Sequence, residues 1–299
     1  MYRIIDAQLK QPLFSHFDEF ATAALWQDKT NSLHGVLAVS LRANSIGQAF
    51  AVAYRSALQA LLPELDAQQW AAMCVTEPQG NHPKHIQSQV TPAGLVSGHK
   101  SFVTMAELSR QLIVIANSGE TQGGRPVLKA VLLQQPAEGI SLQVMDALKL
   151  LPDVGHGKIT LENAQGTILP GDGHNDYSKR FRYLEDVHIL MAFVTLMFSL
   201  SVRYKLSPLI SEKCLLLMSS LLGQELAGHS WQHLQLTAAF AAFAEIVAQF
   251  EGSFDSLPEP FKRDWLRDQK IFSVANKARL ARSDKARSWL QEYSLGIQL

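Results

Sequence analysis

Three zones of different hydrophobic periodicity follow one another along the chain. From His16 to about Trp70 apolar residues recur at helical spacing: in SHFDEFATAALWQDK, residues 15–29, Phe17, Phe20, Ala24 and Leu25 form one stripe behind Ser15, a capping residue. A second small, apolar run over residues 33–61 ends before Pro63, and its alanines predict helices that pack closely. From Ala71 to about Pro170 the period changes to two. AMCV, KHIQSQV, LVSGHKSFV, QLIVIAN, VLKAVLLQ, ISLQVM and GKITLEN read as seven short strands separated by Gly, Pro and Asn, the pattern of a small barrel or sandwich. After Asp172 helices return over residues 182–206, 209–226, 230–250 and 259–293, each apolar on a wide face. The predicted fold is α+β and multi-domain: a short N-terminal helical region (1–70), a middle β-barrel or sandwich domain (71–170) and a C-terminal four-helix bundle (171–299).

Charge and cysteine content narrow the function classes. The 27 basic and 27 acidic residues of the 299 cancel, which argues against a nucleic-acid surface and for small molecules or other protein chains as partners. Cys74 and Cys214 are too few and too far apart for a disulfide framework. MYRIIDAQLKQPLF lacks the basic start and apolar middle of a signal peptide, and the longest apolar run, residues 189–202, has 14 residues against the roughly 18 to 20 that span a bilayer. The expectation is a cytoplasmic protein with no membrane span. His82 and His85, and the i, i+4 pair His229 and His233, lack a cysteine or acidic partner at ligand spacing, so no metal site is expected.

Helices, a β insert and a helical bundle form an uncommon order, and three motifs sharpen it. Leu62-Pro63-Glu64-Leu65, Trp70 and Cys74-Val75-Thr76-Glu77-Pro78 are followed by Ser97-Gly98-His99-Lys100-Ser101-Phe102-Val103-Thr104 and then by Arg267-Asp268-Gln269-Lys270-Ile271-Phe272. In order and element type they resemble the acyl-CoA dehydrogenase family, over roughly residues 33–290. The resemblance implies a flavoenzyme of fatty-acid metabolism that binds FAD between its β-domain and bundle, assembles as a homodimer or homotetramer, and oxidises the CH–CH bond of an acyl-CoA thioester. It implies that Val75 and Thr76 lie along the flavin, that Phe102 stands where the family has a tryptophan beside the ring, and that Thr104 matches the threonine bonded to the hydride-accepting nitrogen. The residues also allow plainer readings: Thr76-Glu77-Pro78 as a strand terminator, since Pro78 cannot continue a ladder, and Phe102 and Thr104 as alternating strand residues.

The chain departs from the family pattern where chemistry and phosphate binding would lie. Gln79-Gly80-Asn81-His82-Pro83 follows the TEP corner in place of a serine-bearing loop, and the family's RxxFG and GG segments have no counterpart. The family's usual catalytic glutamate falls on Asn276, whose amide cannot take a proton; loss of a general base costs on the order of a hundred- to ten-thousand-fold in rate. Some members carry the base at the start of the first bundle helix. That position falls on Arg182, with Glu185 one turn away as the substitute base; Glu185 and Asp186 read alternatively as acidic charge at a helix N-terminus. Two functions therefore stand: an FAD-dependent acyl-CoA dehydrogenase using Glu185, or a catalytically degenerate member that serves as a binding or assembly module without FAD.

Overall fold

The computed structural model describes residues 1–25 and 31–296; residues 26–29 of the first expected helix lie outside the described residues. The chain begins with α1 (Tyr2–Leu9), α2 (Phe17–Leu25), α3 (Ser32–Ser40) and α4 (Ile46–Leu61). The apolar run over residues 33–61 is thus two helices. A polar corner divides it: Ser45 Oγ accepts from the Gln48 N–H (3.1 Å) and Gln48 Oε1 accepts from the Asn44 N–H (2.9 Å), a reciprocal cap that starts α4.

The strands are β1 (Trp70–Cys74), β2 (Gln89–Val90), β3 (Leu95–Thr104), β4 (Ser109–Gln122), β5 (Arg125–Gln134), β6 (Ile140–Val144), β7 (His156–Gln165) and β8 (Thr167–Ile168). Six of the expected strands are present along most of their length; of KHIQSQV only Gln89–Val90 is strand, since Pro83–His85 forms a 3-10 turn, and β8 adds a short eighth. They form one mixed sheet in the order β6-β7-β3-β2-β4-β5-β8, with β1 pairing parallel to β4. Strand β4 carries an unbroken apolar run, Leu112 to Ala116, because both its faces are buried. The sheet closes its core around Ala72, Val96, Leu112, Val114, Val131 and Ile159.

A π-helical segment (Gly173–Lys179) leads into α5 (Arg180–Arg203), followed by α6 (Pro208–Leu222), α7 (Ser230–Glu251), α8 (Glu259–Asp268), α9 (Ile271–Val274) and α10 (Asn276–Gly296). The last expected helix is therefore broken at Gln269–Lys270 and again at Ala275. Residues 173–203 make a continuous helix long and apolar enough to cross a membrane, longer than the 14-residue run in the sequence, yet 89% of its apolar window is buried within the protein. That is the behaviour of a core helix. Phe193, Phe243, Phe272 and Trp265 form its aromatic packing, with neighbouring ring centroids 4.9 to 6.4 Å apart.

The chain divides into two compact units, with boundaries inside α4 and α5. One holds α1–α3, the start of α4 and the bundle helices from Tyr183 onward; the other holds the rest of α4, the sheet and the chain up to Arg182.

Candidate functional site

The TEP corner is built on a buried ion pair. Strand β1 ends at Cys74, before Pro78, so the proline is not what stops it; the chain turns back at Glu77, whose N–H donates to Gly80 O (3.0 Å) while the Gly80 N–H donates to Glu77 O (2.8 Å), with Gly80 at φ +113°. The Glu77 side chain enters the sheet unit and meets Lys100 Nζ at 2.6 Å, the two being 2% and 0% exposed. Buried charges persist only when fully partnered, and these are. Glu77 also accepts from the N–H groups of Gln87 (2.7 Å) and Ser88 (3.1 Å) and from Ser88 Oγ (2.7 Å), while Lys100 donates to the carbonyls of Ile115 (2.6 Å) and Val75 (3.4 Å). Burial works against the Glu77 charge, but Lys100 and these donors outweigh it and hold the carboxyl below its ordinary range. The network needs Gly98, at φ +145°: a Cβ there would come within 2.4 Å of Ser88 Oγ.

This clasp joins the two motif segments that the resemblance assigns to the flavin. The Ser101 N–H donates to Thr76 O (2.9 Å), which brings Val75 and Thr76 beside β3. A bulge between Lys100 and Val103 overturns the simple alternation expected of Phe102 and Thr104. Phe102 stands at φ +53° with its ring 57% exposed, Val103 is buried, and Met105 is again left-handed at φ +57°. A bulky residue in that region costs on the order of 1–3 kcal/mol, and such strain collects where a side chain is held for a ligand. Thr104, half-buried, lies 3.4 Å from His156 Nε2.

A second feature of the same unit is legible only in three dimensions. A cavity of about 650 Å³ is lined by Lys84, Arg125, Arg182, His82, His174 and Asp172, among others. Three basic side chains stand against the one carboxylate, Asp172, whose Oδ1 accepts from the N–H groups of His174 (3.1 Å) and Asn175 (2.6 Å), so cationic side chains dominate. Burial and then the Arg182 charge push the His174 imidazole below its ordinary value. These residues come from three separated stretches; the His82 region and Arg182 stood out in the sequence, but nothing there marked them as neighbours.

In the bundle unit the residues at and near the expected base are committed to structure. Asn276 is the first residue of α10, exposed, and its Oδ1 accepts from Arg279 Nη1 (2.8 Å). Arg279 also donates to Asp186 Oδ1 (2.9 Å) and to Phe272 O (2.9 Å) and lies over the Phe240 ring at 3.9 Å. Asp186 is buried and its second oxygen accepts from Arg282. Burial pushes the Asp186 carboxyl upward, with Arg279 and Arg282 pulling the other way. Since the helix starts at Gly173, neither Glu185 nor Asp186 lies in its first turn, and the helix-terminus reading of the pair is overturned. Glu185 is half-buried. Asn276, Arg279 and Arg282 edge an apolar cavity of about 430 Å³ floored by Phe240, Phe243 and Phe272.

Among the described residues no group of three or more His, Cys, Asp or Glu could hold a metal ion. Both cysteines are free and buried, their thiols pushed up to about 12 by burial.

The arrangement of helices, curled sheet and bundle matches solved structures over nearly the whole chain. Butyryl-CoA dehydrogenase from Megasphaera elsdenii superposes with a TM-score of 0.64 at 15% identity, covering 94% of this chain and 92% of that one. The chain has the acyl-CoA dehydrogenase fold. Two further structures with this acyl-CoA dehydrogenase-like architecture are the prolyl acyl carrier protein oxidase AnaB (TM-score 0.63, 15% identity, 98% and 97% covered) and KijD3 in complex with FMN (0.61, 15%, 99% and 91%). No family model and no curated protein matches the sequence.

Proposed function

We propose that the protein is a flavin-binding oxidoreductase of the acyl-CoA dehydrogenase type, acting on the CH–CH bond of an acyl thioester whose carrier bears phosphate. The observation that carries this reading is the clasped corner. Glu77 and Lys100 hold Val75 and Thr76 beside a strained strand that presents the Phe102 ring and the Thr104 hydroxyl. An exposed aromatic ring, a hydroxyl and uncharged backbone suit a planar heterocycle, so the residues present fit an isoalloxazine. A bound FAD would supply the hydride acceptor.

The cationic cavity supports the substrate class. Lys84, Arg125 and Arg182 supply donors suited to phosphate, and acyl-CoA carries several such groups. With an amide at position 276, the proton acceptor in this reading is Glu185. The fold's neighbours lend the general type, and the proposed setting is a cytoplasmic enzyme of fatty-acid metabolism. Self-association belongs to the same proposal: α6 and α7 border an apolar groove, and Leu216 on its edge is 74% exposed.

The test is anaerobic reduction of the flavin-loaded protein by a panel of acyl-CoA thioesters, with Glu185→Gln alongside. Bleaching by one of them, lost in Glu185→Gln, is the expected result. A second reading, a degenerate member that binds without turning over, is favoured by the bond that ties Asn276 to Arg279. Loaded protein that no thioester reduces would favour it.

A further inference from the structure

Thr104 and His156 are direct cross-strand partners in the antiparallel β3–β7 pairing. The His156 ring is anchored from its other side, where Nδ1 lies 2.8 Å from the carbonyl oxygen of Val154. A carbonyl can only accept, so Nδ1 carries a hydrogen. Burial pushes the imidazole below its ordinary value, the Val154 carbonyl opposing, which favours the neutral ring with its one hydrogen on Nδ1. Nε2 is then a bare lone pair. At 3.4 Å from it, the Thr104 hydroxyl is the donor of that long hydrogen bond.

We propose that His156 is a positioning residue for the ligand face of β3: it takes the hydrogen of the Thr104 hydroxyl, so that Thr104 meets a bound ring with its oxygen, as an acceptor. The proposal rests on the flavin-binding reading for the identity of the ring. The backbone around the hydroxyl is pinned. The Met105 N–H donates to Gly155 O (2.7 Å), the Ser101 N–H to Thr76 O (2.9 Å), and Phe102 and Met105 hold left-handed conformations on either side. Turning the hydroxyl toward a ligand would strip a half-buried imidazole nitrogen of its donor, which disfavours that rotamer.

The consequence is a preference between two states of one ligand. The ring nitrogen that receives hydride is an acceptor when the flavin is oxidised and a donor when it is reduced. An acceptor oxygen at Thr104 complements the reduced ring and faces the oxidised one lone pair to lone pair. One neutral hydrogen bond gained or lost corresponds to roughly a fivefold ratio of affinities. His156 would thus favour the reduced cofactor without touching it.

Two measurements test this. In the cofactor-free protein, long-range proton–nitrogen correlation of the His156 ring should show hydrogen on Nδ1 and an accepting Nε2, whose shift moves toward that of an unbonded nitrogen in Thr104→Val. Hydrogen on Nε2, or a shift indifferent to Thr104→Val, overturns the proposal. In the loaded protein, the ratio of reduced to oxidised FAD affinity should fall about fivefold in His156→Phe and be restored in His156→Gln, whose amide oxygen can still accept. An unchanged ratio in His156→Phe overturns the link to the ligand. Protein that takes up no flavin would contradict the flavin reading itself, and the cofactor-free spectrum would still decide the direction of the hydroxyl.

Discussion

Each of the two units holds a buried carboxylate clasped by basic side chains, and the two are held in different ways. Glu77 faces a single ammonium and fills its remaining lone pairs with backbone N–H groups and a serine hydroxyl, so its charge is held from all sides. Asp186 has two guanidinium partners, each partly reached by water, with side-chain exposures of 10% and 21%. The first clasp braces a strand corner that carries the half-buried Val75, Thr76 and Thr104 and the exposed Phe102. In the second, Arg279 bonds both Asp186 and Asn276, the position to which the family resemblance would assign the proton acceptor.

The comparison breaks most visibly at Lys100. Lys100→Met leaves the Glu77 carboxylate buried without its counter-charge, and a loss on the order of 3–5 kcal/mol is expected in chemical denaturation. Adding Glu77→Gln should recover part of that loss, because the orphaned charge is then gone. A Lys100→Met protein of unchanged stability would mean that the corner is not held as described.

Acid should weaken the bundle unit through a buried histidine. His188 is buried on α5, its Nδ1 donating to Leu184 O (2.6 Å) and its Nε2 accepting from Ser32 Oγ (2.8 Å), and burial pushes it down to about 4. The unfolded imidazole binds its proton near pH 6.5, so the unfolded state gains protons first as pH falls. The contribution of His188 is complete above about 6.5 and is lost progressively down to about 4, a change of roughly 3 kcal/mol. Glu77 has a lowered folded value, so its contribution persists until the pH falls below the ordinary carboxylate range. Hydrogen exchange between pH 7 and 4.5 should therefore show the bundle helices losing protection as the pH falls, while the lowered values of His156 and His174 give the sheet unit a loss of its own. His188→Gln should remove most of the slope in the bundle and leave that of the sheet.

Asp186→Asn is expected to cost less than Lys100→Met, about 1.5–3 kcal/mol, because water reaches both arginines once the carboxylate is gone. The smallest effect belongs to Asn276→Ala, about 0.5–1 kcal/mol, since the residue is exposed and loses one hydrogen bond. An order with Asp186 above Lys100 would reverse the comparison.

Much of the frame was legible in the chain. The switch from helical to alternating periodicity marks the sheet, and the apolar run QLIVIAN marks β4 as a strand buried on both faces. The family resemblance puts the Thr76 and Phe102 segments at one site, and the Ser101 N–H to Thr76 O bond brings those segments together. The breaks were harder to see: the Ser45–Gln48 cap and the α8–α9–α10 joints interrupt apolar patterns that continue across them. Least legible were the cationic cavity and the His156–Thr104 pair. Lys84, Arg125 and Arg182 stand in unrelated stretches, and only strand register brings His156 opposite Thr104. Local pattern carries no signal for such neighbours.

The most direct test of the central claim, that the clasped corner still seats a flavin, is an absorbance spectrum of the purified protein after incubation with FAD and removal of the excess. The account predicts retained bands at about 370 and 450 nm, diminished in Phe102→Ala and lost in Lys100→Met. A colourless protein from a well-folded wild-type sample would contradict it, and would leave the corner as a structural brace without a cofactor.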